Sequence, residues 1–171
     1  MAQPVVSWWA RDNGSQQTKW EIGTIDAGSI SQPLGVLIWN NRKIAGVAGT
    51  GDTDLSTMTN CTITTKDASG GDTGELVKNT WIEAKIDSMG ELDFVHKIGG
   101  TATTPIQAGG NTSNAGGTFS PNLKEILGVK NDGTKTNSAG NYCEVSLRAN
   151  IPATATAGNV DFLTRVAYQY V

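Results

Sequence analysis

The sequence is poor in the residues that carry out chemistry. It holds a single histidine, His96, and two cysteines, Cys61 and Cys143, that lie far apart in the chain. A zinc site of the usual kind needs several His or Cys ligands at short spacing, so no metal site is expected. Nucleophilic catalysis also lacks a signature. There is no Gly-x-Ser-x-Gly elbow, and a Ser-His-Asp or Cys-His arrangement would have to recruit His96 unaided. His96 reads instead as a strand histidine near a sheet edge. A carboxylate pair meets only in space, yet most of the 16 Asp and Glu residues fall in turns or at outward strand positions. No catalytic residue, cofactor or metal ligand is assigned, and the chain is expected not to be an enzyme.

Other absences narrow the function further. No apolar run approaches the roughly 20 residues that a membrane-spanning helix needs. The 13 Lys and Arg residues are scattered in a chain of net charge −3, so neither nucleic acid nor an anionic membrane is an expected partner. The stretch Met1 to Val6 lacks the basic and apolar regions of a signal peptide, which points to synthesis in a cytoplasm. Cys61 and Cys143 then read as small buried hydrophobes rather than a disulfide. The glycosylation patterns at Asn60-Cys61-Thr62 and Asn111-Thr112-Ser113 carry little weight without a secretion route. Helix-friendly runs are scarce too.

Glycine, threonine and asparagine are abundant instead, with 21 glycines among 171 residues. Glycine and asparagine tolerate positive φ and threonine is stiff at its β-carbon, so short strands joined by tight turns are favoured. The clearest strand runs from Tyr142 to Ile151, where Cys143, Val145, Leu147, Ala149 and Ile151 alternate with polar residues. Pro152 should end its pairing. Val160 to Val171 alternates likewise, with Phe162, Thr164, Val166, Tyr168 and Tyr170 on one side. The two segments together read as an antiparallel hairpin with a long connection. Further strands are expected at Thr18 to Ile25, Leu34 to Asn40, Cys61 to Lys66, Trp81 to Asp87 and Asp93 to Ile98. Leu34 to Asn40 is apolar on both sides, as for a central strand covered on both faces. Seven or eight such strands predict an all-β, antiparallel sandwich filling one domain.

Between the strands, Ser120 to Gly128 reads as one helical turn, with serine capping, proline at the first position and glycine closing. Its Leu123, Ile126 and Leu127 would plug one end of the sandwich. The stretches 45–59, 66–74 and 99–118 read as loops, the last long enough to suggest a function. Gly51-Asp52-Thr53-Asp54 opens like a calcium loop but lacks the later glycine and glutamate. The glycine pairs at 70–71, 99–100, 109–110 and 116–117 lack the strand-then-helix setting of phosphate loops and read as turns.

Five tryptophans stand out in a chain with few other aromatics. Trp20, Trp39 and Trp81 fall in expected strands and should pack in or beside the core. Trp8 and Trp9 are adjacent, so in a strand they face opposite ways and cannot both enter one core. Residues 1–9 are therefore read as an N-terminal arm or edge strand ahead of the sandwich at 10–171. Gln3, Val5, Trp8 and Trp9 are its expected partner contacts, since bulky aromatics commonly anchor protein interfaces. An aromatic platform for carbohydrate is the rival reading.

Several segments carry a family resemblance: Trp20 to Ser29, Leu37-Ile38-Trp39-Asn40-Asn41, Asn60 to Lys66, and the tail from Glu144 to Pro152 through Tyr168 to Val171. From about Val5 onward the chain resembles small virion proteins of tailed phages and prophages of Gram-positive bacteria. Its first part is also similar to Ig-like domains. The resemblance implies an Ig-like sandwich and a non-enzymatic structural role on a phage particle. The expected role is a capsid decoration or cement protein on the outer surface of the major capsid protein lattice, able to self-associate there as a homo-oligomer. A tail, baseplate or fibre component and a carbohydrate-binding module of a host-attachment device are the alternatives.

Overall fold

Most of the alternating segments become strands of two antiparallel sheets in the computed structural model, which describes residues 1–110 and 124–171. The strands are β1 (Val6–Ala10), β2 (Leu34–Asn40), β3 (Thr59–Asp67), β4 (Ile82–Ile86), β5 (His96–Ile98), β6 (Thr104–Pro105), β7 (Tyr142–Ala149) and β8 (Phe162–Gln169). One sheet has five strands in the order β1-β2-β7-β4-β5, and the other has three in the order β6-β3-β8. The fold is an antiparallel β-sandwich, as the alternation and turn spacing predict.

The core lies between the sheets. Val36 and Ile38 from β2, Ile82, Ala84 and Ile86 from β4, and the odd-numbered residues 143–149 of β7 face Cys61 and Ile63 of β3. Phe162, Val166 and Tyr168 of β8 close the layer from the three-stranded side. Each buried Val, Leu or Ile side chain here contributes roughly 1.5–3 kcal/mol relative to exposure. Cys61 and Cys143 are both buried and free, so they pack as small hydrophobes.

β2 is covered on its outer face as well. There Leu37 and Trp39 join Trp9 in a second cluster, with Tyr142 and Ile44 against it. Loops are tied over this face by asparagine amides. Asn41 Nδ2 donates to the carbonyls of Thr53 (2.7 Å) and Gly128 (2.6 Å), and its Oδ1 accepts from Gly51 N (3.1 Å). Asn141 Nδ2 donates to Leu127 O at 2.9 Å and Val129 O at 2.8 Å. Side chains thus satisfy buried loop backbone that has no ladder to join.

Three expectations about elements fail. β7 and β8 form no hairpin: both edges of β7 are taken by β2 and β4, and β8 pairs with β3 in the other sheet. The connection at 150–161 crosses between layers instead. Thr18 to Ile25 forms no strand, because it runs across the open side of the sandwich, where Trp20 and Ile22 reach into the core. Gly23 then breaks the extended course with a φ of 79°. Residues 120–123 of the expected helical turn, and 111–118 of the expected long loop, lie outside the described residues. Lys124 to Gly128 is not helical. Ile126 exchanges backbone hydrogen bonds with Met58, and a β-carbon on Gly128 would stand 2.4 Å from Leu55 O, so that glycine permits close chain approach. The helical turns sit elsewhere, at α1 (Glu75–Lys78) and as a 3-10 turn at Asp87–Met89. Asp67 holds the turn that leads into α1 by accepting from Thr73 N and Gly74 N.

Candidate functional site

The N-terminal stretch runs along one side of the sandwich. Gln3 is exposed and Val5 is 58% exposed, while Pro4 between them is buried. The backbone is held: Ala2 O accepts from Ser56 N at 2.9 Å, and Val5 O accepts from Asn41 N at 2.9 Å. β1 follows as an edge strand of the five-stranded sheet.

Strand geometry then sends Trp8 and Trp9 to opposite faces, opposite Ile38 and Leu37 respectively. Trp9 is only 7% exposed. The Arg42 guanidinium lies over its ring and its Nε1 donates to Ser7 Oγ at 3.0 Å. That indole is engaged within the chain. Trp8 faces inward at the edge of the core and is partly exposed.

Trp8 belongs to a cleft of about 560 Å³ on the open side of the sandwich, between the edge strands β1 and β8. Residues 15–17 double back along β1, with Ala10 N donating to Ser15 O and Gln17 N to Trp8 O, each at 2.8 Å. The chain then crosses toward β8. This crossing brings Trp20 against Phe162, edge to face, with centroids 5.9 Å apart. Leu34, Val36 and Leu147 form an apolar floor. Gln16, Thr18, Lys19, Asp161 and Thr164 supply polar groups around it. A pair of aromatic walls, an apolar floor and a polar rim make the cleft amphipathic.

A second cavity of about 390 Å³ is lined mainly by polar groups, among them Glu75, Thr80, Glu83 and Lys97. Trp81 at its side is only 8% exposed and Trp39 is fully buried, so neither offers a ring face to a ligand. The outer face of the five-stranded sheet carries ion pairs. Arg11 bridges Asp87 (3.0 Å) and Glu144 (3.2 Å), and Arg148 holds the buried Glu83 at 2.8 Å. Phe94 covers Arg148, with 4.4 Å from the guanidinium carbon to the ring centroid.

His96 sits on the edge strand β5 with Nε2 2.5 Å from Glu91 Oε2, and Glu91 Oε1 accepts from Ile86 N at 2.7 Å. The pair fixes the turn after β4. Among the described residues, no group of three or more His, Cys, Asp or Glu side chains could hold a metal ion. Burial pushes both cysteine thiols up to about 12, which removes the thiolate that nucleophilic chemistry needs. No helix among the described residues is long and apolar enough to cross a membrane.

The chain matches no known family model and no curated protein. Of the four residues expected to contact a partner, Gln3 and Val5 lie at the surface, Trp8 lines the cleft and Trp9 is covered. Sequence reading did not find the meeting of Trp20 with Phe162. The available signal was a lone tryptophan after Gln16-Gln17-Thr18-Lys19, a polar run without strand alternation.

Proposed function

We propose that this chain is a non-enzymatic structural protein of a phage particle. In this reading it is a capsid decoration protein, made in the host cytoplasm and bound to the outer surface of the major capsid protein lattice. The sequence resemblance is the source of the particle. The observation that supports a surface-binding role is the exposed apolar Val5 beside the exposed Gln3, on backbone already pinned to Ser56 and Asn41. A preordered contact of this kind loses little entropy on binding. Repetition around a symmetric shell would strengthen weak individual contacts through multivalency.

The test is co-sedimentation with empty capsids. Gln3→Ala combined with Val5→Asp should release the protein from the particle while leaving its thermal midpoint unchanged. Undiminished binding would remove this stretch from the contact. Electron microscopy of labelled particles separates a head position from the tail or baseplate alternative.

A further inference from the structure

We propose that the cleft between β1 and β8 binds a short stretch of neutral glycan. Its volume of about 560 Å³ falls within the roughly 300–1,000 Å³ of small-molecule sites. Three partly exposed aromatic rings from separate parts of the chain, Trp8, Trp20 and Phe162, converge on it. The Trp20 and Phe162 planes stand 79° apart, so the walls are differently oriented rather than one stacked pair. A pyranose ring has apolar C–H faces and hydroxyls around its edge. Aromatic walls match the faces, and side-chain amides, hydroxyls and carboxylates match the edge.

The polar rim decides the class. Gln16, Thr18, Asp161 and Thr164 line the cleft, and their side chains have no hydrogen-bond partner among the described residues. A purely apolar ligand would use none of this capacity. An anionic ligand would find little free positive charge, because Lys19 is paired with Glu21 at 2.6 Å and Asp161 lies close enough to act on Lys19. A neutral polyhydroxyl ligand can both stack on the rings and accept or donate at the rim. Asp161 would accept from hydroxyls, and Gln16 would both accept and donate. The site does not depend on where the protein resides, and glycan binding and capsid binding are measured separately.

The test uses the whole chain with neutral tetrasaccharides of glucose, galactose and N-acetylglucosamine, followed by tryptophan fluorescence and saturation-transfer NMR. One of them should bind saturably. Trp20→Ala should weaken it by roughly tenfold, as loss of one aromatic contact would. Since Trp20 also touches the core, the exposed rim variants Gln16→Ala and Asp161→Ala give the second reading. Each should weaken binding severalfold with the thermal midpoint unchanged, while Lys97→Ala at the other cavity should have no effect. Absence of binding by all three sugars overturns the proposal, as does binding indifferent to Gln16 and Asp161. Dodecanoate saturating the site where the sugars do not would assign the cleft to apolar ligands and also overturn it.

Discussion

The Arg42 guanidinium carbon lies 3.5 Å from the centroid of the Trp9 ring, and the same group stands 5.5 Å from the Trp39 ring. Its position is fixed by hydrogen bonds from Nε to Asn13 Oδ1 at 3.0 Å and from Nη2 to Asn13 O at 3.1 Å. One cation therefore covers the outer aromatic cluster of β1 and β2 and ties the turn after β1 to the loop after β2. Arg42→Ala should lower stability by about 1–2 kcal/mol, from the lost cation–π contact and hydrogen bonds. Trp9→Ala should cost about 3–5 kcal/mol, as for a large buried aromatic. Urea unfolding measures both. A near-neutral Trp9→Ala would show that the indole is not part of the folded packing.

Asn41 satisfies three loop backbone groups and itself adopts a φ of 60°. Asn41→Ala leaves Thr53 O and Gly51 N unpaired, while Gly128 O keeps its bond from Leu55 N, and puts alanine in a left-handed conformation, so a loss of about 3 kcal/mol is expected. Asn41→Gly relieves the backbone strain but not the lost bonds. It should lie between the two proteins in urea midpoint, which separates strain from hydrogen bonding.

The cysteine thiols should be inert in the folded protein. With both pushed up to about 12 by burial, Ellman's reagent at pH 8 should react at the rate of unfolding and immediately in denaturant. Unfolded thiols ionise near 8.5. Because the folded values are raised, the stabilisation is complete below about 8.5 and declines as pH rises from there toward about 12. Urea midpoints of the protein and of Cys61→Ala/Cys143→Ala, each relative to its own value at pH 7, should diverge above pH 8.5.

Asp132 works in the opposite direction. Hydrogen bonds from Asn137, and from the hydroxyl and backbone of Thr134, hold its carboxyl down at about 2. A depressed carboxylate stabilises the fold above the unfolded value near 4 and loses that effect as pH falls toward about 2. Asp132→Asn should therefore flatten the fall in thermal midpoint between pH 4 and pH 2. An identical acid profile in the variant would show that the loop carboxylate is not linked to folding.

Local pattern was enough to read the long strands and their faces, but not β6 (Thr104–Pro105), which lies in a stretch read as loop, nor the absence of a strand at Thr18 to Ile25. The side-chain period of two is a property of the extended backbone, so the inward set of β7, from Cys143 to Ala149, and the outward set of β8, from Leu163 to Gln169, follow from residue order alone. The opposed directions of Trp8 and Trp9 follow for the same reason. Glu83 shows where this runs out. Its outward position was legible, but its burial beneath the sheet's outer face depends on Arg148 and the turn that carries Phe94.

Partnership between strands was decided only in three dimensions. Whether β8 joins β7 or β3 depends on which edges remain free once β2 and β4 have docked, a competition that residue order does not encode locally. The cleft is a consequence of that outcome. With β8 in the opposite sheet, Phe162 ends at the open side of the sandwich, where the crossing segment delivers Trp20. The sequence by itself determined an antiparallel β-sandwich with two diverging tryptophans. Tertiary packing decided that one would be covered by Arg42 and the other would line the cleft, because burial depends on what arrives from distant parts of the chain.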